Sequence, residues 1–112
     1  MLSALVLAFV ALAPAASAVE GNAADGKIKA YTCAGCHGIP GYRNAYPNFR
    51  VPKIYGQHRD YLTAALNAYR AGERKHPTMR AQAESLSDQD VADLALYLSG
   101  DSTATGQAAG QP

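Results

Sequence analysis

The chain has 112 residues, room for one domain, and its ten Lys and Arg against nine Asp and Glu leave a formal net charge of +1. A chain so close to neutral, with no dense basic run, is not built to hold nucleic acid. Two cysteines and no tryptophan leave a small domain short of both staples and bulk, so the spacing of the two thiols carries much of the information.

In chain order, Leu2 to Ala13 is an almost uninterrupted apolar run, closed by Pro14 and the small triplet Ala16-Ser17-Ala18. This pattern predicts a signal peptide over residues 1–18, although the usual basic start is missing and only the amino terminus supplies a positive charge. The competing reading is a retained membrane anchor. The run is shorter than the roughly 20 apolar residues a spanning helix needs, and Pro14 interrupts it. Cleavage after Ala18 leaves an exported chain of about 94 residues without a membrane span, for which a core made of side chains alone is marginal.

A helix is predicted from Asn22, with Asn22 as N-cap, Asp25 as its capping-box partner, and Ile28 and Tyr31 apolar one turn apart, running into Cys33. Gly38, Pro40 and Gly41 then break regular structure, and the stretch to Gly56 reads as an extended loop. A second helix is predicted over residues 59–71, with Tyr61, Ala65 and Tyr69 in one stripe, Leu62 and Leu66 beside it, and Gly72 as C-cap. Residues 73–85 show no clean period and contain Pro77, so they read as a loop held by something other than its own hydrogen bonds. In the last helix Ser87 caps, Asp90 completes the box, Leu86 and Val91 form a hydrophobic staple, and Val91, Leu94, Ala95 and Leu98 make the buried face up to Gly100. The folded domain is thus expected over residues 19–100, all-α with long loops, and residues 101–112, small or polar, as a disordered tail.

The chemistry is concentrated in Cys33-Ala34-Gly35-Cys36-His37, the C-x-x-C-H pattern of covalent haem attachment. Thiols three apart on a helical turn share a face, so both sulfurs reach one edge of a porphyrin, and the next residue can offer an imidazole nitrogen to the iron. A thioredoxin-like dithiol would need a βαβ neighbourhood, which the sequence does not show. A zinc site lacks a fourth ligand at usual spacing, and a disulfide between residues three apart staples almost nothing.

For the opposite face of the iron, Met79 is the sole methionine besides the initiator. Its thioether would raise the reduction potential and close the site to other ligands. His76, His58 and Lys75 are the rivals. His76 would lower the potential, and Lys75 would first have to lose a proton.

The segments Cys33 to Gly38, Val51-Pro52-Lys53-Ile54-Tyr55-Gly56-Gln57, His76-Pro77-Thr78-Met79 and Leu86-Ser87-Asp88-Gln89-Asp90 resemble those of bacterial class I cytochromes c, over essentially the whole mature chain. The resemblance implies the cytochrome c fold: three main helices and long loops wrapped around one covalent haem c, with the first and last helices crossing at Gly26, Tyr31, Leu94 and Tyr97. It implies haem on Cys33 and Cys36, iron held by His37 and Met79, a carbonyl of Pro52 orienting His37, and Ile54 and Leu98 lining the pocket. Tyr55 stands where relatives often have a smaller residue. The stretch Tyr42 to Phe49 is unusual, and its Tyr42, Tyr46 and Phe49 either cover a haem edge or fill a loop.

The expected function is a periplasmic one-electron carrier between redox proteins, not an enzyme. The alternatives are the electron-transfer subunit of a periplasmic dehydrogenase or oxidase complex, and a haem sensor or peroxidase with an open iron position. Between Arg43 and Arg80 eight basic residues face only Asp60 and Glu73, and this segment contains Met79, so a positive rim that attracts acidic docking surfaces is expected.

Overall fold

The computed structural model describes residues 18–46 and 48–101. The leader expected over residues 1–18 and the tail expected over 101–112 lie outside these residues, save for Ala18 and Asp101. Five helices follow in order: α1 Ala23–Lys29, α2 Tyr31–His37, α3 Arg59–Ala71, α4 Pro77–Ala83 and α5 Asp88–Ser99. Among the described residues the only β pairing is an isolated antiparallel bridge between Arg43 and Arg50. The all-α reading stands.

Helices α1 and α2 form one nearly continuous element, because Ala30 N–H donates to Gly26 O at 2.8 Å and Ala34 N–H to Ala30 O at 3.1 Å across the joint. Asn22 caps α1 by accepting from the N–H groups of Ala24 and Asp25. The expected capping-box role of Asp25 is not what the fold uses. The Asn22 N–H donates to Asp93 Oδ1 of α5 at 2.7 Å, so a distant carboxylate supplies the partner that a local one was expected to supply.

That carboxylate organises the helix crossing. Asp93 is 1% exposed and accepts from Asn22 N–H, Lys29 Nζ and Gln89 Nε2, while Lys29 also pairs with Asp90 at 2.7 Å. A charge so buried is tolerated because three donors, one of them a cation, meet its two oxygens. The helices approach closely because Gly26 has no side chain: a Cβ there would stand 2.1 Å from Asp93 O and 2.7 Å from Tyr97 Cβ. Gly26, Leu94 and Tyr97 thus occupy the crossing as expected. Tyr31 does not, being 83% exposed, and Ile28 is exposed as well. The position in the core belongs to Ala30, since the approach enforced at Gly26 leaves room for a methyl group and none for a ring.

Helix α3 packs on α5, and α4 on α3. Ala30, Leu62, Leu94, Ala95, Tyr97 and Leu98 form the shared core, with Cys33, Ile54, Tyr55, Leu66 and Leu86 packed against it. The Leu62 and Leu66 stripe therefore faces inward, and the neighbouring Tyr61 is half-exposed rather than part of the buried face. Gly72 closes α3 in the left-handed conformation at φ 76°, as a C-cap there requires. Helix α5 has its full capping box, with Ser87 N–H donating to Asp90 Oδ2 at 2.9 Å and Asp90 N–H to Ser87 Oγ at 3.1 Å.

Residues 73–85 depart furthest from expectation. They contain α4, and Pro77, read as a breaker, sits at its first position, where a missing N–H costs nothing and the fixed φ suits the helix. His76 is its N-cap, accepting from the Met79 N–H at 3.2 Å.

The carboxylate cluster predicts a pH response. Hydrogen bonding from Lys29, then from the Ser87 N–H and hydroxyl, pulls the Asp90 carboxyl from 3.8 to about 2. Burial pushes Asp93 upward, but the donors Lys29, Asn22 N–H and Gln89 outweigh it and leave this group lowered too. Groups depressed on folding stabilise above their ordinary value, and that stabilisation disappears as pH falls through the folded value. Acid titration followed by helical circular dichroism should show stability falling between pH 3.8 and about 2, and Lys29→Met should make that fall shallower.

Candidate functional site

Cys33 and Cys36 lie on the single helix α2 as free, half-buried thiols, and His37 is its last residue. Burial pushes the Cys33 thiol up. Gly38 follows, and Gly35 meets no atom within 4 Å of where a Cβ would stand, so the backbone between the thiols is open to a close neighbour. His37 Nδ1 lies 2.6 Å from the Pro52 carbonyl oxygen. A carbonyl only accepts, so Nδ1 carries a hydrogen, and in the neutral ring the lone pair is then on Nε2. The loop that supplies Pro52 is itself fixed: Gly56 N–H donates to Leu98 O at 2.8 Å, and Gln57 Nε2 donates to Lys53 O at 2.5 Å.

An apolar wall adjoins these groups. Cys33, Ile54, Tyr55 and Leu66 are partly buried against the core that contains Leu98, and Tyr55 meets Tyr97 edge-on with centroids 6.3 Å apart. Two thiols on one turn, a bare imidazole nitrogen and half-covered apolar side chains suit a flat apolar group bearing a metal. They do not suit a bare ion. Among the described residues no three His, Cys, Asp or Glu side chains come together as a metal site, and no strand accompanies the dithiol.

Met79 is the third residue of α4 and is half-buried. His58 is exposed at the start of α3, without a capping bond from its side chain. His76 sits between two rings, with Phe49 at 4.5 Å and Tyr69 at 6.2 Å between centroids. The stretch 42–50 folds back on itself through Val51 N–H to Tyr42 O and Asn44 N–H to Phe49 O, both 2.9 Å, which fixes Phe49 on His76. Tyr46 is 95% exposed. An open groove of about 540 Å³ lies on this side, bordered by Phe49, His76, Arg74, Lys75, Arg80 and Glu84, with neither thiol in its lining.

Of the eight cations between residues 43 and 80, Arg70 is occupied, bonding Leu86 O at 2.9 Å and Asp88 Oδ1 at 2.5 Å. The other seven are exposed. No helix among the described residues is long and apolar enough to cross a membrane.

The sequence profile of the cytochrome c family matches residues 23–101. The chain belongs to the cytochrome c family. It is 43% identical over 84 residues to cytochrome c-554(548) of Halomonas halodenitrificans, covering 70% of this chain and 95% of that one. It is 39% identical over 104 residues to cytochrome c4 of Pseudomonas aeruginosa, covering 93% of this chain and 48% of the relative, so it spans about half the length of that protein. The cytochrome subunit of sulfide dehydrogenase from Chlorobaculum tepidum is 31% identical over 72 residues, covering 64% of this chain and 62% of that one. As a cytochrome c, the chain is an electron-transfer protein with covalent haem c and its iron as cofactor, not an enzyme.

The sequence missed two features of this site. The helical state of α4 was hidden because its seven residues are too few to show a period, yet His-Pro at the cap and first position is a usable start signal. The seating of His76 between Phe49 and Tyr69 joins segments far apart in sequence, and no local pattern announces it.

Proposed function

We propose that this cytochrome c is a periplasmic carrier of single electrons, with haem linked to Cys33 and Cys36 and its iron held by His37 and Met79. When bound, haem supplies a couple between ferrous and ferric iron. Each thiol would add its S–H across one vinyl group, so that sulfur bonds carbon and the proton stays on the neighbouring carbon. His37 would donate its Nε2 lone pair, with the Pro52 carbonyl holding the ring and its tautomer; a ligand oriented in this way need not rearrange when the iron changes charge. Ile54, Tyr55, Leu66 and Leu98 would exclude water from one side. The observation that carries the proposal is the joint placement of two free thiols and an imidazole with one nitrogen engaged and the other bare.

Mass and visible spectrum of the protein purified from the periplasm of a host with a haem-maturation system test it. The mature chain should gain the mass of one haem, and the oxidised form should show the sulfur-to-iron charge-transfer band. A Cys33→Ser, Cys36→Ser double variant should gain no mass. A colourless wild type with the mass of its bare polypeptide would defeat the proposal.

The seven exposed cations support a positive rim that steers acidic partners. Electron-transfer rates with an acidic redox protein should drop as ionic strength rises from about 0.01 to 0.15 M, over which the screening length shrinks from roughly 30 to 8 Å. Rates indifferent to salt would remove the rim. A second reading, an electron-transfer subunit of a larger dehydrogenase, draws support from the sulfide dehydrogenase subunit among the relatives. Stable co-purification with a catalytic chain would favour it.

A further inference from the structure

Met79 sits on a helix of seven residues, and so short a helix derives little stability from its own hydrogen bonds. What holds its first turn is a side chain from outside it. His76, in an extended conformation at φ −155°, turns its ring back so that Nδ1 accepts the Met79 N–H at 3.2 Å, and its carbonyl receives the Arg80 N–H at 2.9 Å. Imidazole is an unusual cap. Ser, Thr, Asp or Asn normally take this position because their short side chains reach the turn without further support, whereas a ring must be aimed.

The aim is supplied from two directions. Phe49, on the closed stretch 42–50, lies against the ring at 4.5 Å with the planes 42° apart. Tyr69, on α3, meets it edge-on at 6.2 Å and 80°, and is itself covered by the Arg74 guanidinium at 4.8 Å. A cap serving only a surface helix would need no such seat. The bond it makes ends on the backbone of the one residue of α4 whose side chain can bind iron.

We propose that His76 is a positioning residue for the iron ligand: through its bond to the Met79 N–H, and seated by Phe49 and Tyr69, it holds Met79 in place. This rests on the reading of Met79 as ligand. It also gives the stretch 42–50 a task, that of a buttress for the cap. His76 was itself a rival ligand in the sequence. With Nδ1 committed to the cap, its contribution runs through Met79.

The test uses the holo-protein and two substitutions that separate ring from acceptor. His76→Phe keeps an aromatic ring between Phe49 and Tyr69 but cannot accept the Met79 N–H. His76→Asn gives up the ring and keeps an acceptor suited to the cap. The readouts are the sulfur-to-iron charge-transfer band of the oxidised protein and the rate at which carbon monoxide binds the reduced protein, which measures how often Met79 leaves. Losing a cap is worth roughly a fivefold change in such an equilibrium.

His76→Phe should bind carbon monoxide roughly fivefold faster, with a band that fades at lower temperature, and His76→Asn should stay near wild type. If the Phe variant does not mature, His76→Leu takes its place in the same comparison. Wild-type behaviour of the acceptor-less variant, or equal damage in both variants, overturns the proposal. A wild-type protein that has no charge-transfer band and binds carbon monoxide at once removes Met79 as ligand, and the proposal with it. A wild-type band left unchanged by His76→Phe removes His76 alone.

Discussion

Replacing Gly26 by alanine is expected to destabilise the domain severely, although alanine is the better helix former by about 1 kcal/mol. The gain is local and the loss is at the crossing. The added carbon would stand 2.1 Å from the Asp93 carbonyl oxygen and 2.7 Å from Tyr97 Cβ, and the first of these is backbone that no rotamer change can move. Relief requires α1 to lift from α5, which stretches the bonds of Asp93 to Asn22 and Lys29 and opens the core around Ala30. Overpacking typically costs about 1–3 kcal/mol where side chains can yield, so a clash with fixed backbone belongs at or above the upper end. At about 4–8 °C per kcal/mol for a domain of this size, the melting temperature of the holo-protein should fall by roughly 15 °C. An unchanged melting curve would mean that the two helices do not meet at this residue.

Met79→Ala should have the largest effect on chemistry and little on the fold. Alanine suits a helix, and Met79 is only half-buried, so α4 should persist. Haem should remain attached, because neither thiol is touched. The charge-transfer band should vanish, carbon monoxide should bind within the mixing time, and the potential should fall by on the order of 0.1 V, a part of the roughly 0.8 V that axial ligands span. Spectroscopy and a redox titration check this. An unaltered band would pass the ligand role to another side chain, with His76 and His58 the first to be replaced.

Legibility followed the range of the interactions. Helix α3 ends at the residues its sequence marks, and the Ser87–Asp90 box of α5 forms as read, because caps and breakers act over four residues. The thiols and His37 were legible for the same reason, being contiguous. Asn22 shows where such reading stops: the local partner Asp25 loses to Asp93, 71 residues away, because a buried carboxylate must collect donors from wherever the fold brings them. Tyr31 failed similarly. Its apolar character and spacing pointed inward, but the closeness of the crossing, set by a glycine on the same helix, admits Ala30 instead. Pro77 by itself signals a break, and only its neighbour His76, as N-cap, makes it the first residue of a helix.

The clasp among Asn22, Lys29 and Asp93 spans 64 to 71 positions of sequence. Helix α1 therefore lacks its main packing partner until α5 has been synthesised, and loop closure over such a span must precede any reward from it. A chain whose first helix depends on α5 in this way stays pliable until that segment has been made. Until α5 docks, Cys33 also lacks Leu94, Tyr97 and Leu98, part of the core against which it packs in the finished fold.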